Sequence, residues 1–208
     1  MSSRRSAAAS DPLRPFVTPD WAVRVILPVL RGHFPGRGPV VALEPAAGSG
    51  AIVRILHRVM PCTQVDAVEI RPEETAALER IQAGRVWTGD FLGVAMAPPD
   101  GPFGGFYDLI VTNPPFVLGL EYARTCLAMV KDPGVVALLL RAAFLETPLR
   151  QAFCRLTRPD MYFLPRRPSF TADGKTDSTM YAWFVWRVDS RLPQPAMAKW
   201  AILAASAR

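Results

Sequence analysis

The chain has 208 residues, half of them hydrophobic and a fifth charged. That composition reads as one soluble globular domain, too short for two comfortable ones, and no apolar run reaches the ~18 residues of a membrane span. A net charge of +6 makes an anionic partner such as nucleic acid reasonable. Cys62, Cys126 and Cys154 are widely spaced, and His33 and His57 are the only histidines. This gives no zinc-type spacing and no disulfide framework, so no metal is expected and a reducing cytoplasm fits.

Residues 1–15 are basic without the apolar stretch of a secretory signal, and read as a flexible arm. Thr18-Pro19 opens a first helix, since threonine can cap and proline suits the first helical position. Val40–Leu43 is a short buried strand that ends at Glu44, and Pro45-Ala46-Ala47-Gly48-Ser49-Gly50 turns into a helix over 51–60. A second strand over 64–70 contains Glu69 and Ile70, and a helix spans 71–82. Val86–Phe91 is a third strand with its exit loop, and 93–106 is a glycine- and proline-rich loop.

Tyr107–Thr112 is a fourth strand that delivers Asn113-Pro114-Pro115-Phe116. Helix over 121–130, strand over 135–140 and helix over 145–156 follow. Two last strands, 161–164 and 180–186, flank the polar loop 165–179, and a proline-marked tail over 191–208 can carry a short helix. Alternating strands and helices predict an α/β domain over 16–190, built on a seven-stranded, mostly parallel sheet with helices on both faces. The last two strands lack a helical crossover, so the last strand is expected to be antiparallel.

Ligands of an open α/β sheet bind outside the carboxyl ends of its strands. Gly48 and Gly50 let the backbone approach such a ligand. Glu44 repels a phosphate and welcomes an ammonium, and Val53 stands where the dinucleotide fingerprint needs a third glycine. Glu69 is placed to hold a ribose diol. Asp90 can accept from an adenine amino group, with Phe91 packed on the ring.

The Asn113 to Phe116 tetrapeptide is the most specific signal. An amino nitrogen on an aromatic ring is a poor nucleophile because its lone pair is delocalised. Two acceptors, the Asn113 side-chain oxygen and the Pro114 carbonyl, can draw its hydrogens out of the ring plane. Pro114 and Pro115 fix the backbone torsions at little entropic cost. Phe116 offers a flat face for the target.

On Thr18-Pro19, Glu44 to Gly50, Glu69, Asp90-Phe91 and Asn113 to Phe116, taken in this order, the chain resembles the class I S-adenosylmethionine-dependent amino-methyltransferases. Among them it is most similar to small phage-type N6-adenine DNA methyltransferases. The resemblance implies a Rossmann-like fold and S-adenosylmethionine as cofactor. It implies cofactor contacts from Thr18, Pro19, Glu44, Ala46, Gly48, Gly50, Glu69, Ile70, Asp90, Phe91 and Asn113. It implies catalysis by Asn113, Pro114, Pro115 and Phe116 on the N6 amino group of a flipped DNA adenine.

Many DNA enzymes of this kind carry Asp where this chain has Glu44. No segment the size of a target-recognition domain follows the last strand, so relaxed specificity or a partner subunit is expected. Arg166, Arg167, Phe170 and Lys175 in the polar loop are the candidate substrate contacts, mixing cations with an aromatic. The alternatives are the same chemistry on RNA adenine, methylation of a protein glutamine amide, and an inactive nucleic-acid-binding subunit.

Overall fold

The computed structural model describes residues 16–205 apart from 37, 39, 61, 82, 96–106, 172, 173, 177 and 194–197. The expected arm over 1–15 therefore lies outside the described residues. In chain order the elements are α1 (Asp20–Arg24), α2 (Leu27–Gly32), β1 (Val40–Glu44), α3 (Ala51–Val59), β2 (Cys62–Glu69), α4 (Pro72–Arg80), β3 (Val86–Thr88) and α5 (Phe91–Ala95). There follow β4 (Tyr107–Thr112), α6 (Gly119–Met129), β5 (Val130–Arg141), α7 (Pro148–Thr157), β6 (Asp160–Phe163), β7 (Tyr181–Val188) and β8 (Trp200–Ile202). Short 3-10 turns over Phe116–Leu118 and Ala142–Glu146 precede α6 and α7.

The strands form one sheet in the order β3-β2-β1-β4-β5-β7-β6-β8. β1 to β5 pair in parallel, β7 is antiparallel to both β5 and β6, and β8 is parallel to β6. The last expected strand, 180–186, is β7, and it runs antiparallel as expected, inserted between β5 and β6. Two details are corrected. The sheet has eight strands where seven were expected. The tail expected to hold a short helix instead adds Trp200–Ile202 to the edge, where Trp200 pairs with Met161 and Ile202 with Phe163. The short helix α5 also replaces part of the expected loop. Asp90 accepts a hydrogen bond from the Leu92 amide at 3.1 Å and so caps this helix.

Side chains alternate across the sheet into two cores. Val40, Ala42, Leu109, Val111, Val135, Ala137 and Leu139 face α1 to α4, whereas Leu43, Ile110, Val136, Leu138 and Leu140 face α5 to α7. Burial on both faces explains why β4 and β5 read as nearly unbroken apolar runs. The expected first helix is split in two. Pro28 has no N–H for the Arg24 carbonyl, so α1 stops and α2 restarts. Trp183 on β7 donates its indole N–H to the Ala22 carbonyl at 2.8 Å, tying α1 to the sheet.

A buried polar hub closes the other end of the sheet. Asp66 is fully buried and accepts from the Tyr107 hydroxyl at 2.9 Å, from the Arg85 amide at 2.8 Å and from Gln64 Nε2 at 2.6 Å. The Arg85 guanidinium lies 2.8 Å from the same carboxylate. Three strand segments are thereby joined through one side chain.

Candidate active site

Strand order reverses between β1 and β4, so a crevice opens outside their carboxyl ends. Glu44 ends β1 and Asn113 follows β4, which brings both to that crevice. The turn between β1 and α3 has Gly48 at φ +53 and Gly50 at φ +82, both left-handed. The two glycines differ in purpose. A Cβ on Gly50 would collide with Ile81 Cδ1, so this glycine lets α3 pack against the end of α4. The glycine at position 50 is thus required by packing as well. At Gly48 the nearest neighbour of a Cβ would be the Arg71 guanidinium, at 3.5 Å.

Glu44 is 1% exposed. Its Oε1 accepts from the Ala46 amide at 3.3 Å, while Oε2 is buried with no partner among the described residues. Burial pushes the Glu44 carboxyl up to about 8, and the negative charge of Glu69 adds to the shift. The nearby Thr112 hydroxyl and the Ala46 amide oppose it. Thr112 is itself fully buried, and its Oγ1 falls short of hydrogen-bond geometry with any described partner.

Asn113 donates its Nδ2–H to the Thr18 hydroxyl at 3.0 Å. Its Oδ1 is buried and accepts no hydrogen bond from the described residues. The Pro115 carbonyl accepts from the Leu118 amide at 2.9 Å, which folds the tetrapeptide into the 3-10 turn before α6. Three buried polar atoms without a hydrogen bond among the described residues, the acceptors Glu44 Oε2 and Asn113 Oδ1 and the Thr112 hydroxyl close to Glu44, thus lie at two adjacent strand ends. Buried polar atoms in folded proteins are almost always satisfied, so such a group marks where a ligand's donors belong.

Glu69 is already engaged. Its Oε2 accepts from the Gly48 amide at 2.6 Å, and its Oε1 accepts from the Arg71 amide at 3.0 Å and from Arg71 Nε at 2.7 Å. It therefore splints the glycine turn to β2, and a ribose must use its remaining lone pairs. Ile70 beside it is 45% exposed and presents an apolar face at the same edge. Asp90 is exposed near it, since Glu69 pairs with Thr88 across β2 and β3.

Two aromatic expectations are corrected. Phe91 is 1% exposed and packs on Tyr122, with ring centroids 5.2 Å apart, so its ring belongs to the core and cannot cover an adenine. Phe170 is likewise buried. It sits 5.8 Å from Phe116 and 5.1 Å from Tyr181, supporting the cleft wall from behind. Arg166 and Arg167 are exposed on the same loop, and the Arg166 guanidinium lies 4.5 Å from the centroid of Trp21. Lys175 is exposed further along. The Val17 amide donates to the Phe170 carbonyl at 3.0 Å, which straps the segment holding Thr18 and Pro19 to this loop.

Sequence reasoning missed Thr112, Arg141, Tyr181 and Phe16. The last three surround Phe116, with the Phe16 and Tyr181 centroids 6.1 Å and 5.4 Å from it and the Arg141 guanidinium 4.9 Å away. Thr112 and Arg141 are the final residues of β4 and β5, and their position at the carboxyl edge was the available signal. Among the described residues no group of His, Cys, Asp and Glu could hold a metal ion, and no helix is long and apolar enough to cross a membrane.

This sheet order, with its reversed strand and helices on both faces, defines the Rossmann-like fold of class I methyltransferases. No protein-family model matches the sequence, and no curated protein matches it. Solved structures do. A proposed class I S-adenosylmethionine-dependent methyltransferase of Listeria monocytogenes superposes with a TM-score of 0.69 at 13% identity, over 90% of this chain. The chain spans 65% of that protein's length. A proposed RNA methyltransferase of Pyrococcus horikoshii gives 0.63 at 15% identity, over 91% of this chain and 92% of its own. Human methyltransferase-like protein 13, solved with S-adenosylhomocysteine, gives 0.55 at 19% identity over 85% of each chain. At these identities the likeness establishes the fold.

Proposed function

We propose that the chain is an S-adenosylmethionine-dependent methyltransferase that acts on an amino nitrogen of a planar group, the N6 of adenine in DNA, with relaxed sequence specificity or a partner subunit for target choice. The observation that carries this reading is the set of buried polar atoms at Glu44, Thr112 and Asn113 that lack a partner among the described residues. The acceptors in this set need two kinds of donor. A cationic ammonium suits Glu44, because it would supply the charge partner whose absence holds the carboxyl protonated. An amine with hydrogens to give suits Asn113.

The cofactor supplies an already activated methyl group. The residues of the chain then have to bind, orient and exclude water. Glu44 and the turn around Gly48 would hold the amino-acid end, Glu69 the ribose, and Ile70 and Asp90 the adenine. Thr18 fixes the Asn113 amide with its nitrogen turned away, so that Oδ1 is the atom presented to the target. With the Pro114 carbonyl as second acceptor, the amine is drawn towards tetrahedral geometry and its lone pair is released from the ring. Holding both acceptors in place beforehand lowers the barrier without reorganisation. Arg166, Arg167 and Lys175 at the rim suit phosphate contacts, and the net charge of +6 supports a polyanionic partner.

The test incubates the protein with methyl-labelled S-adenosylmethionine and separate pools of DNA, RNA and cell protein. Label in N6-methyladenine of DNA is expected. Label confined to RNA keeps the chemistry and changes the substrate, and label confined to protein glutamine overturns the nucleic-acid reading.

A further inference from the structure

Arg141 ends β5 and sits opposite Tyr181 in the antiparallel pairing with β7. Its Nε donates to the Tyr181 hydroxyl at 3.3 Å, and its guanidinium lies 4.9 Å from the Phe116 centroid. Phe16, Phe170 and Tyr181 pack against the same ring at tilts of 45°, 60° and 52°. Phe116 is thus wedged among three aromatic side chains and covered by one cation. The side chain of Arg141 is exposed, so the guanidinium lies between the ring and solvent.

A guanidinium is planar, stacks on aromatic faces, and binds phosphate through two parallel N–H donors. Over the Phe116 ring it takes the kind of place that a flat target ring takes, and it carries the charge that a flanking phosphate needs. The residues next in sequence to Phe16, Phe116 and Tyr181 are exposed and apolar: Val17 is 49%, Val117 63% and Met180 56% exposed. A small hydrophilic target has no use for such residues, whereas a nucleotide in a strand meets them with sugar and neighbouring bases.

We infer that Arg141 is a substrate-positioning residue that selects planar targets bearing an adjacent phosphate, covering the Phe116 ring and turning to the phosphate when a target ring arrives. The inference rests on the methyltransferase reading above and adds the residue that distinguishes a nucleotide from a free base or nucleoside.

The experiment compares wild type, Arg141→Met and Arg141→Lys. Methionine keeps an apolar stem over the ring, and lysine keeps the charge without the fork. Each is tested for methyl transfer to an adenine-containing oligonucleotide and to adenosine, and for oligonucleotide binding over a salt series. Cofactor affinity and circular dichroism monitor folding. Arg141→Met is expected to raise the oligonucleotide KM roughly tenfold, the loss of one charge-assisted contact. It should leave cofactor affinity unchanged and lower the slope of log binding constant against log salt by about one. Arg141→Lys should restore the salt slope but little of the KM. If both variants match wild type in KM and salt slope while wild type methylates the oligonucleotide, Arg141 has no such role and the methyltransferase reading stands. If wild type methylates no nucleic acid, the nucleic-acid reading and the role of Arg141 fall together.

Discussion

The Asn113 amide and the Thr18 hydroxyl, 95 positions apart, meet at 3.0 Å with the nitrogen as donor. The amide nitrogen is thereby turned to Thr18, and Oδ1 is left without a partner among the described residues. Asn113→Ala should lower kcat by about 10²–10³, the scale for losing one pre-aimed group, with cofactor affinity little changed. Thr18→Val should have a smaller effect of the same kind, about tenfold, because the amide is freed to rotate rather than removed. Single-turnover kinetics with labelled cofactor separates the two. Normal turnover by Asn113→Ala would remove the residue from the mechanism.

On the proposed reading, Glu44 should make cofactor affinity depend on pH. Its carboxyl is raised to about 8, well above an ordinary carboxylate, so the empty folded protein favours the protonated form. The stability this gives is full below the unfolded value of about 4.5 and is lost as pH rises through about 8. A cationic ligand needs the ionised form. Affinity should therefore climb as pH approaches about 8, and binding at neutral pH should release a proton. Titration calorimetry in buffers of different ionisation enthalpy reads that proton directly. Glu44→Gln should abolish the pH dependence, weaken binding, and make the empty protein more resistant to alkaline unfolding.

The two glycines of the β1–α3 turn should respond differently to alanine. At Gly50 the left-handed backbone and the collision with Ile81 act together, and Gly50→Ala should cost about 2–4 kcal/mol of stability. At Gly48 only the backbone and the movable Arg71 guanidinium resist, so Gly48→Ala should cost about 1–2 kcal/mol. Its main effect should be on cofactor affinity. Urea midpoints and equilibrium binding on the same samples distinguish packing from site. Equal loss of stability at both positions would contradict this division.

Asp66 should be the most sensitive polar residue away from the crevice. Asp66→Ala strands the buried Tyr107 hydroxyl and the Arg85 amide, at a cost of about 3 kcal/mol. Arg85→Ala should cost less, since that guanidinium is 49% exposed and screened by water. Thermal unfolding of the two variants ranks them.

The strands carrying the site were legible because β1, β4 and β5 are buried on both faces and so stand out as apolar runs ending in polar residues. Glu44 and Asn113 could be placed from that alone, whereas Glu69 and Asp90 were placed from the more polar β2 and β3. The direction of a side chain could not. Phe91 and Phe170 are the aromatic types that cover a planar ligand, yet each turns into the core, a fact set by helix and loop packing that the sequence neighbours do not encode. β8 stayed hidden for a related reason. A three-residue strand such as Trp200–Ile202 has no period of its own and exists through its pairing with β6. Arg141 and Thr112 escaped because each belongs to a strand whose apolar pattern drew attention away from its last residue.

The strap from Phe16 to Ala22 fastens to Phe170 and Trp183, residues about 150 positions downstream. Synthesis on the ribosome is vectorial, so a nascent chain holds Thr18 long before its anchors emerge. Until β7 has been made and inserted between β5 and β6, the hydroxyl that aims Asn113 has no fixed place. Contacts this distant close late. The strap is therefore expected to dock after the strands it fastens to have formed.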